Sequence, residues 1–270
     1  PSSAASDVYK RQVIDMPTRF VDFMRVLVPM AGDDTTPEGE QVNIYGNHVG
    51  SWNFAATAYL NRWKVKIYYE HYFDDHSQMF FQYGRWKDGH IGLEITFPKN
   101  RFIDTFVYEG LGTKDQTGPM LYDSFWGKFE EQISAKDNYY NHYLYQGWQH
   151  WGMGIGNPLL PGPIYNKNGQ ITFISNRVLA HHIGFCGSPC QSLSYRMLLS
   201  YSRHWGTYDN PLNEIKKQFN SLFEVTYAPQ QLKGWSFTVS GAMDRGSILG
   251  NNYGGMLVIR KQGIIKSGNK

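Results

Sequence analysis

From residue 49 onward the chain keeps a two-residue rhythm of apolar and polar positions. In "SWNFAATAYL" (51–60), Trp52, Phe54, Ala56, Ala58 and Leu60 share one face and Asn53, Ala55, Thr57 and Tyr59 the other, because successive side chains of a strand point to opposite sides. "KVKIYYEHYF" (64–73) sets Val65, Ile67, Tyr69 and Phe73 against Lys66, Tyr68, Glu70 and Tyr72; "IGLEITF" (91–97) sets Ile91, Leu93, Ile95 and Phe97 against Gly92, Glu94 and Thr96. The same rhythm predicts strands over 101–111, 176–186, 192–205, 219–227, 235–244 and 254–265, about nine in all. Asp104 and Lys261 break it, which a bulge or an edge position would accommodate. Upstream, "MPTRFVDFMRVLVP" (16–29) changes to helical spacing, with Phe20, Phe23 or Met24, and Leu27 on one side, Thr18 as N-cap and Pro29 as the stop.

Connection lengths alternate as well. Those at 61–63, 98–100, 187–191 and 228–234 are short, and those at 74–89, 112–174 and 206–218 are long. Tight turns at one end, long loops at the other and strands of about ten residues suit a wall that crosses a bilayer at a tilt. The expected fold is therefore all-β, the C-terminal part of an antiparallel transmembrane β-barrel with long outer loops and short helices within them. A soluble β-sandwich or a cell-surface β domain has the same period. The two differ in whether the Trp52–Leu60 and Trp235–Met243 stripes face outward or meet in a shared interior.

Composition narrows the classes. Aromatic residues make up 16% of the 270, charged residues only 18%, and glycine numbers 28, a mixture that favours strands and turns. A net charge of +3 with no basic run argues against nucleic acid. A mean hydropathy of −0.48 is compatible with a barrel, since only alternate residues meet lipid. Cys186 and Cys190 either close one small loop or stay as thiols. His181 and His182 are neighbours on a strand and point to opposite faces, so with these cysteines they give no zinc spacing; no metal and no cofactor are expected. Residues 1–12, "PSSAASDVYKRQ", lack the apolar run of a signal peptide and resemble translated sequencing-adapter sequence. The expectation is a fragment: 13–48 an outer loop with a short helix, 49–265 barrel including the long 112–174 loop, and 266–270 a tail.

The candidate chemistry lies in "DNYYNHYLYQGWQHWGMGIGNP" (137–158). Sugars present apolar C–H faces and hydroxyl rims, which proteins meet with Tyr or Trp rings and with amides or carboxylates. Tyr139, Tyr140, Tyr143, Tyr145, Trp148 and Trp151 supply the first; Asp137, Asn138, Asn141 and Gln146 supply the second. Alternatively these rings pack on one another to brace a barrel mouth while the amides satisfy loop backbone. Arg177, Arg196 and Arg203 are spaced so that some face the lumen, where they could meet uronate carboxylates or pair with Glu94, Glu109, Glu224 or Asp244. Gly46-Asn47-His48 reads as a turn. No local motif singles out two of Glu94, Glu109 and Asp244 as a glycosidase pair, and no nucleophile elbow, phosphate loop or dinucleotide fingerprint is present.

In order along the chain, "GNHVGSW" (46–52), "YYEHYFDD" (68–75), "DGHIGLEI" (88–95), "YEGLGTKDQTGP" (108–119), "DNYYNH…YQGW…IGNPL" (137–159), "NRVLAHHIG" (176–184) and "YSRHWGTY" (201–208) resemble the Wzi-type capsule assembly family in its Bacteroidetes-like form. The likeness covers nearly all of 17–265. "SWNFAATAY" departs from it in having no charged lumen residue, and "HWGMGIGNP" in being more apolar. The resemblance implies a monomeric outer-membrane barrel in outer-membrane lipid, acting as a non-catalytic surface lectin for capsular or other extracellular polysaccharide. A porin-like channel and a polysaccharide-modifying enzyme are the alternatives.

Overall fold

The computed structural model describes residues 18–28, 30, 32–36, 48–74, 79, 81, 86–100, 102–116, 136–142 and 147–263. Helix α1 (Phe20–Leu27) precedes β1 (Gly50–Leu60), β2 (Trp63–Phe73), β3 (Gly89–Thr96) and β4 (Thr105–Gly112). A small ribbon, β5 (Gln149–His150) and β6 (Met153–Gly154), interrupts the long connection. The chain then continues through β7 (Val178–Cys190), β8 (Leu193–Gly206), β9 (Pro211–Tyr227), β10 (Trp235–Gly246) and β11 (Asn252–Lys261). Nine strands form one antiparallel sheet in the order β1-β2-β3-β4-β7-β8-β9-β10-β11. Among the described residues the sheet is open: β1 pairs only with β2, and β11 only with β10.

Register carries one set of side chains across the whole sheet. Ile67 lies opposite Ala56 and Leu93, Leu93 opposite Tyr108, and Tyr108 opposite Ile183. Ile183 meets Leu199, and further along Met197 meets Phe223. Val239 sits between Val225 and Leu257. The other face carries Lys66, Glu94, Glu70 and His90 on β2 and β3, then Glu109 beside His182, and Arg196 beside Glu224.

The apolar face is the one left uncovered. Ile67 is 55% exposed, Val239 60% and Leu257 65%, whereas Ser202, His204, Gln218 and Ser240 of the polar face are buried. The small apolar core also sits on the polar side, where Leu111, Val178 and Ala180 at the ends of β4 and β7 pack under Tyr140, Leu160 and Phe173 of the long connection. The Trp52–Leu60 and Trp235–Met243 stripes therefore do not meet inside a shared interior.

Several boundaries move. β4 starts at Thr105, so Asp104 leaves the strand and accepts from Ser188 Oγ at 2.8 Å. Strand β7 runs on to Cys190 through a bulge. Pro189 has no N–H to give to a ladder and is tolerated at such a site, so the turn shrinks to residues 191–192. Both thiols are free. The predicted loop over 206–218 becomes ladder, because β9 begins at Pro211 and only 207–210 connect it to β8. Pro211, Glu214, Lys216 and Lys217 had masked the strand period. In α1 the N-cap is Arg19 rather than Thr18: the Asp22 carboxylate accepts from the Arg19 backbone N–H at 3.0 Å and is itself buried. The hydrogen bonds from Arg19, with the charge of Arg25 beside them, lower the Asp22 carboxyl from its usual value. Among the described residues no helix is long and apolar enough to cross a membrane.

Candidate functional site at the loop end of the sheet

The described part of the 113–177 connection folds back over the polar face, and buried polar groups lock it there. Asp88, just before β3, is almost fully buried; its carboxylate accepts from Asp115 N–H at 2.9 Å and from the Tyr139 hydroxyl at 2.9 Å. Burial raises this carboxyl to about 6 and pushes the Tyr139 phenol well above its ordinary value. Asn176 donates to Asn138 Oδ1 at 2.6 Å and to Tyr139 O at 2.8 Å. Asn141 bridges Phe173 from both sides, donating to its carbonyl at 2.9 Å and accepting from its N–H at 2.8 Å.

The sequence-predicted residues thus separate into groups. Asn138, Tyr139, Tyr140 and Asn141 build the fold of the segment; Tyr139 and Tyr140 are buried, and Tyr140 packs on Phe173 with ring centroids 5.2 Å apart. Tyr140 does so at φ 70°, a left-handed backbone that a bulky residue adopts only under constraint. Trp148 is half-buried against this core and Asp137 is partly exposed. Trp151 stands 83% exposed at the tip of the β5–β6 ribbon, where Gly152 turns the chain at φ 78°. Tyr143, Tyr145 and Gln146 lie outside the described residues, as do Gly46 and Asn47.

The arginines part company. Arg196 is on the polar face and pairs with Glu224 at 3.4 Å. Arg203 is on the apolar face with its guanidinium 5.0 Å from the Trp205 ring centre, and Arg177 stacks on Tyr208 at 3.9 Å. Neither Arg177 nor Arg203 looks onto the surface that the long connection covers.

Two hollows lie beneath and beside that segment. One of about 360 Å³ opens between the start of β1, the end of β2 and the long connection; Ser51, Tyr72, Phe73, Asp74, Tyr140 and Asn157 are among its walls. Rings and polar rims come together there. The second, about 280 Å³, lies on the polar face between His90, Glu109, His182, Ser200 and Leu159. In it Tyr68 donates to Glu109, His90 lies 3.6 Å from Glu109 and 3.7 Å from Glu70, and His182 meets Ser200 at 2.7 Å. His181, on the opposite face, bonds the Tyr108 hydroxyl at 2.8 Å. Glu94 pairs with Lys64, and Asp244 accepts from Asn220 on β9. Asp244 is four strand spacings from Glu109, roughly 19 Å along the sheet. Among the described residues no three His, Cys, Asp or Glu side chains gather as a metal-ligand set.

Asp88, Asn157 and Asn176 were not visible as site residues in the sequence. Asp88 and Tyr139 are 51 positions apart, and no local pattern marks such a pair. Comparison of the chain with protein-family models returned no match, and comparisons with curated proteins and with solved structures likewise returned none.

Proposed function

We propose that this chain forms wall and mouth of an outer-membrane β-barrel of the Wzi-type capsule assembly kind, which binds exported polysaccharide at the cell surface without chemically altering it. The observation that carries this is the inverted burial of the sheet. An exposed apolar face over nine strands is costly in water and favourable in lipid. Its ends support the same reading. Trp52, Phe54, Tyr69, Tyr201, Phe219 and Tyr253 ring the loop end of that face, and Trp63, Phe97, Tyr195, Tyr227, Trp235 and Phe237 the short-turn end. Amphipathic rings favour the two membrane–water boundaries. Unpaired strand edges are unstable in hydrocarbon, so the reading requires the free edges of β1 and β11 to be paired in the membrane.

The binding site in this reading is the 360 Å³ hollow, together with Trp151, which the β5–β6 ribbon of the same connection leaves exposed. Tyr72, Phe73 and Tyr140 offer ring surface, and Ser51, Asp74 and Asn157 offer the rim. The buried amide network keeps this mouth rigid, which lowers the ordering cost of binding. Trp151→Ala and Tyr72→Ala are expected to weaken binding of purified capsule by about tenfold or more, read by pull-down or glycan array. Unchanged binding in both variants removes this mouth as the site. Turnover of purified capsule by the chain would sink the non-catalytic reading.

A further inference from the structure

Four neighbouring strands leave the apolar face through a cation. On β8 the outward series runs Met197, Leu199, Tyr201, Arg203, Trp205, and on β9 it runs Phe223, Ser221, Phe219, Lys217. On β7 the series ends at Arg177, whose backbone pairs with that of Trp205, and the end of β4 delivers Lys114, with Nζ 4.7 Å from the Trp205 ring centre. Trp205 is thus flanked by Lys114 and Arg203, and Tyr208 by Arg177 and Lys136. Arg203 and Lys217 are direct cross-strand partners and both are exposed. Like charges so placed destabilise a sheet.

Among the described residues no carboxylate forms an ion pair with them. Among the described residues Asp115 pairs with Lys87 and Lys136, each at 3.5 Å. Asp209 and Glu214, in the hairpin tip beyond the row, make no ion pair among the described residues, and neither do Lys114, Arg177, Arg203 or Lys217. The row lies one step past the Tyr201–Phe219 ring level, where a bilayer places its headgroups. Arg forks suit phosphate oxygens, and basic residues at a membrane surface attract anionic lipid.

We propose that Lys114, Arg177, Arg203 and Lys217 form a site for the phosphate of an anionic lipid headgroup in the outer leaflet, with Trp205 and Tyr208 as its apolar floor. This rests on the reading of the apolar face as lipid-facing. The lipid clamps the β7–β8–β9 hairpins at the rim, on the opposite surface of the sheet from the polysaccharide mouth.

The test folds the chain into phosphatidylcholine vesicles alone, with diphosphoryl lipid A, or with the same lipid dephosphorylated. Inorganic phosphate added to the plain vesicles is a further arm. Insertion is read by protease protection, and bound lipid by native mass spectrometry of the extracted chain. Diphosphoryl lipid A is expected to stay bound, and Arg203→Gln with Lys217→Gln to lower its retention roughly tenfold or more; Lys261→Gln, at the short-turn end, leaves retention unchanged. Insertion with equal retention in the double variant, or of the dephosphorylated lipid, overturns this inference alone. Binding of inorganic phosphate as tight as that of the lipid overturns the lipid as its ligand. Failure to insert into any vesicle overturns both this inference and the lipid-facing reading.

Discussion

The two faces of the sheet share one backbone and obey opposite rules. The face bearing Ile67, Leu93, Ile183, Phe223, Val239 and Leu257 is apolar and uncovered. The face bearing Glu70, His90, Glu109, Arg196 and Glu224 is polar and carries the core and the folded-back connection. In a water-soluble sheet the apolar side is packed against another layer and the polar side is wet. Here the polar side is internally satisfied, through pairs such as Arg196 with Glu224 and Thr226 with Thr238 at 2.8 Å. An internally satisfied polar face opposite an exposed apolar one is the inverse of that arrangement, and it is what the proposed lipid-facing reading rests on.

Charge placement separates the two faces most strongly. Val239→Arg, at the middle of the apolar face, is expected to cost about 2–4 kcal/mol of folding free energy in phosphatidylcholine vesicles. Its neighbour Thr238→Arg, on the polar face, is expected to cost at most about 1 kcal/mol, since it meets polar partners rather than lipid. Urea titration of both variants in vesicles decides the order; a larger loss for Thr238→Arg would reverse the assignment of faces.

The next effect is a pH dependence of the folded-back connection. Asp88 has an ordinary carboxyl value of 3.8 raised to about 6 by burial, so the folded chain binds this proton more tightly than the unfolded one. Its contribution is fully present below about pH 4 and is lost as pH rises through 6, up to roughly 3 kcal/mol. Hydrogen exchange over 136–142 and 173–178 is expected to quicken between those values, and Asp88→Asn to flatten the change. An unaltered pH profile in that variant would assign the effect to another group.

Smaller still is the amide clamp. Asn176→Ala removes two buried hydrogen bonds and is expected to loosen the same segment by roughly 1–3 kcal/mol, visible as proteolysis of the 136–176 region with the strands still protected. Together with the Trp151 variant, which touches only an exposed ring, this separates residues that hold the long connection from those proposed to meet polysaccharide.

Most strands could be read in the sequence, because a one-face environment forces period-two alternation and register preserves it from β1 to β11. The exceptions have local causes. Strand β9 was hidden where Pro211 and three charges interrupt the pattern, and β7 where Pro189 sits in a bulge. The ring-rich segment was conspicuous, yet what each ring does there was not: Tyr139 and Trp151 are both aromatic residues among amides, one buried against Asp88 and the other at a ribbon tip. The arginines divide in the same way: seven positions apart in one strand, Arg196 and Arg203 emerge on opposite faces as the period requires, whereas the pairing of Arg196 with Glu224 is set by the fold.

The sequence by itself determined the strand period, the sheet's two-sidedness and the concentration of sugar-compatible side chains in one connection, since these depend on neighbours along the chain. Tertiary structure alone decided which face is left exposed, that Asp88 and Asn176 clamp the long connection, and that Lys114, Arg177, Arg203 and Lys217 stand in one row. Each of those facts joins residues tens of positions apart, and only the pairing of strands and the folding back of the long connection brings such groups within hydrogen-bonding or Coulombic reach.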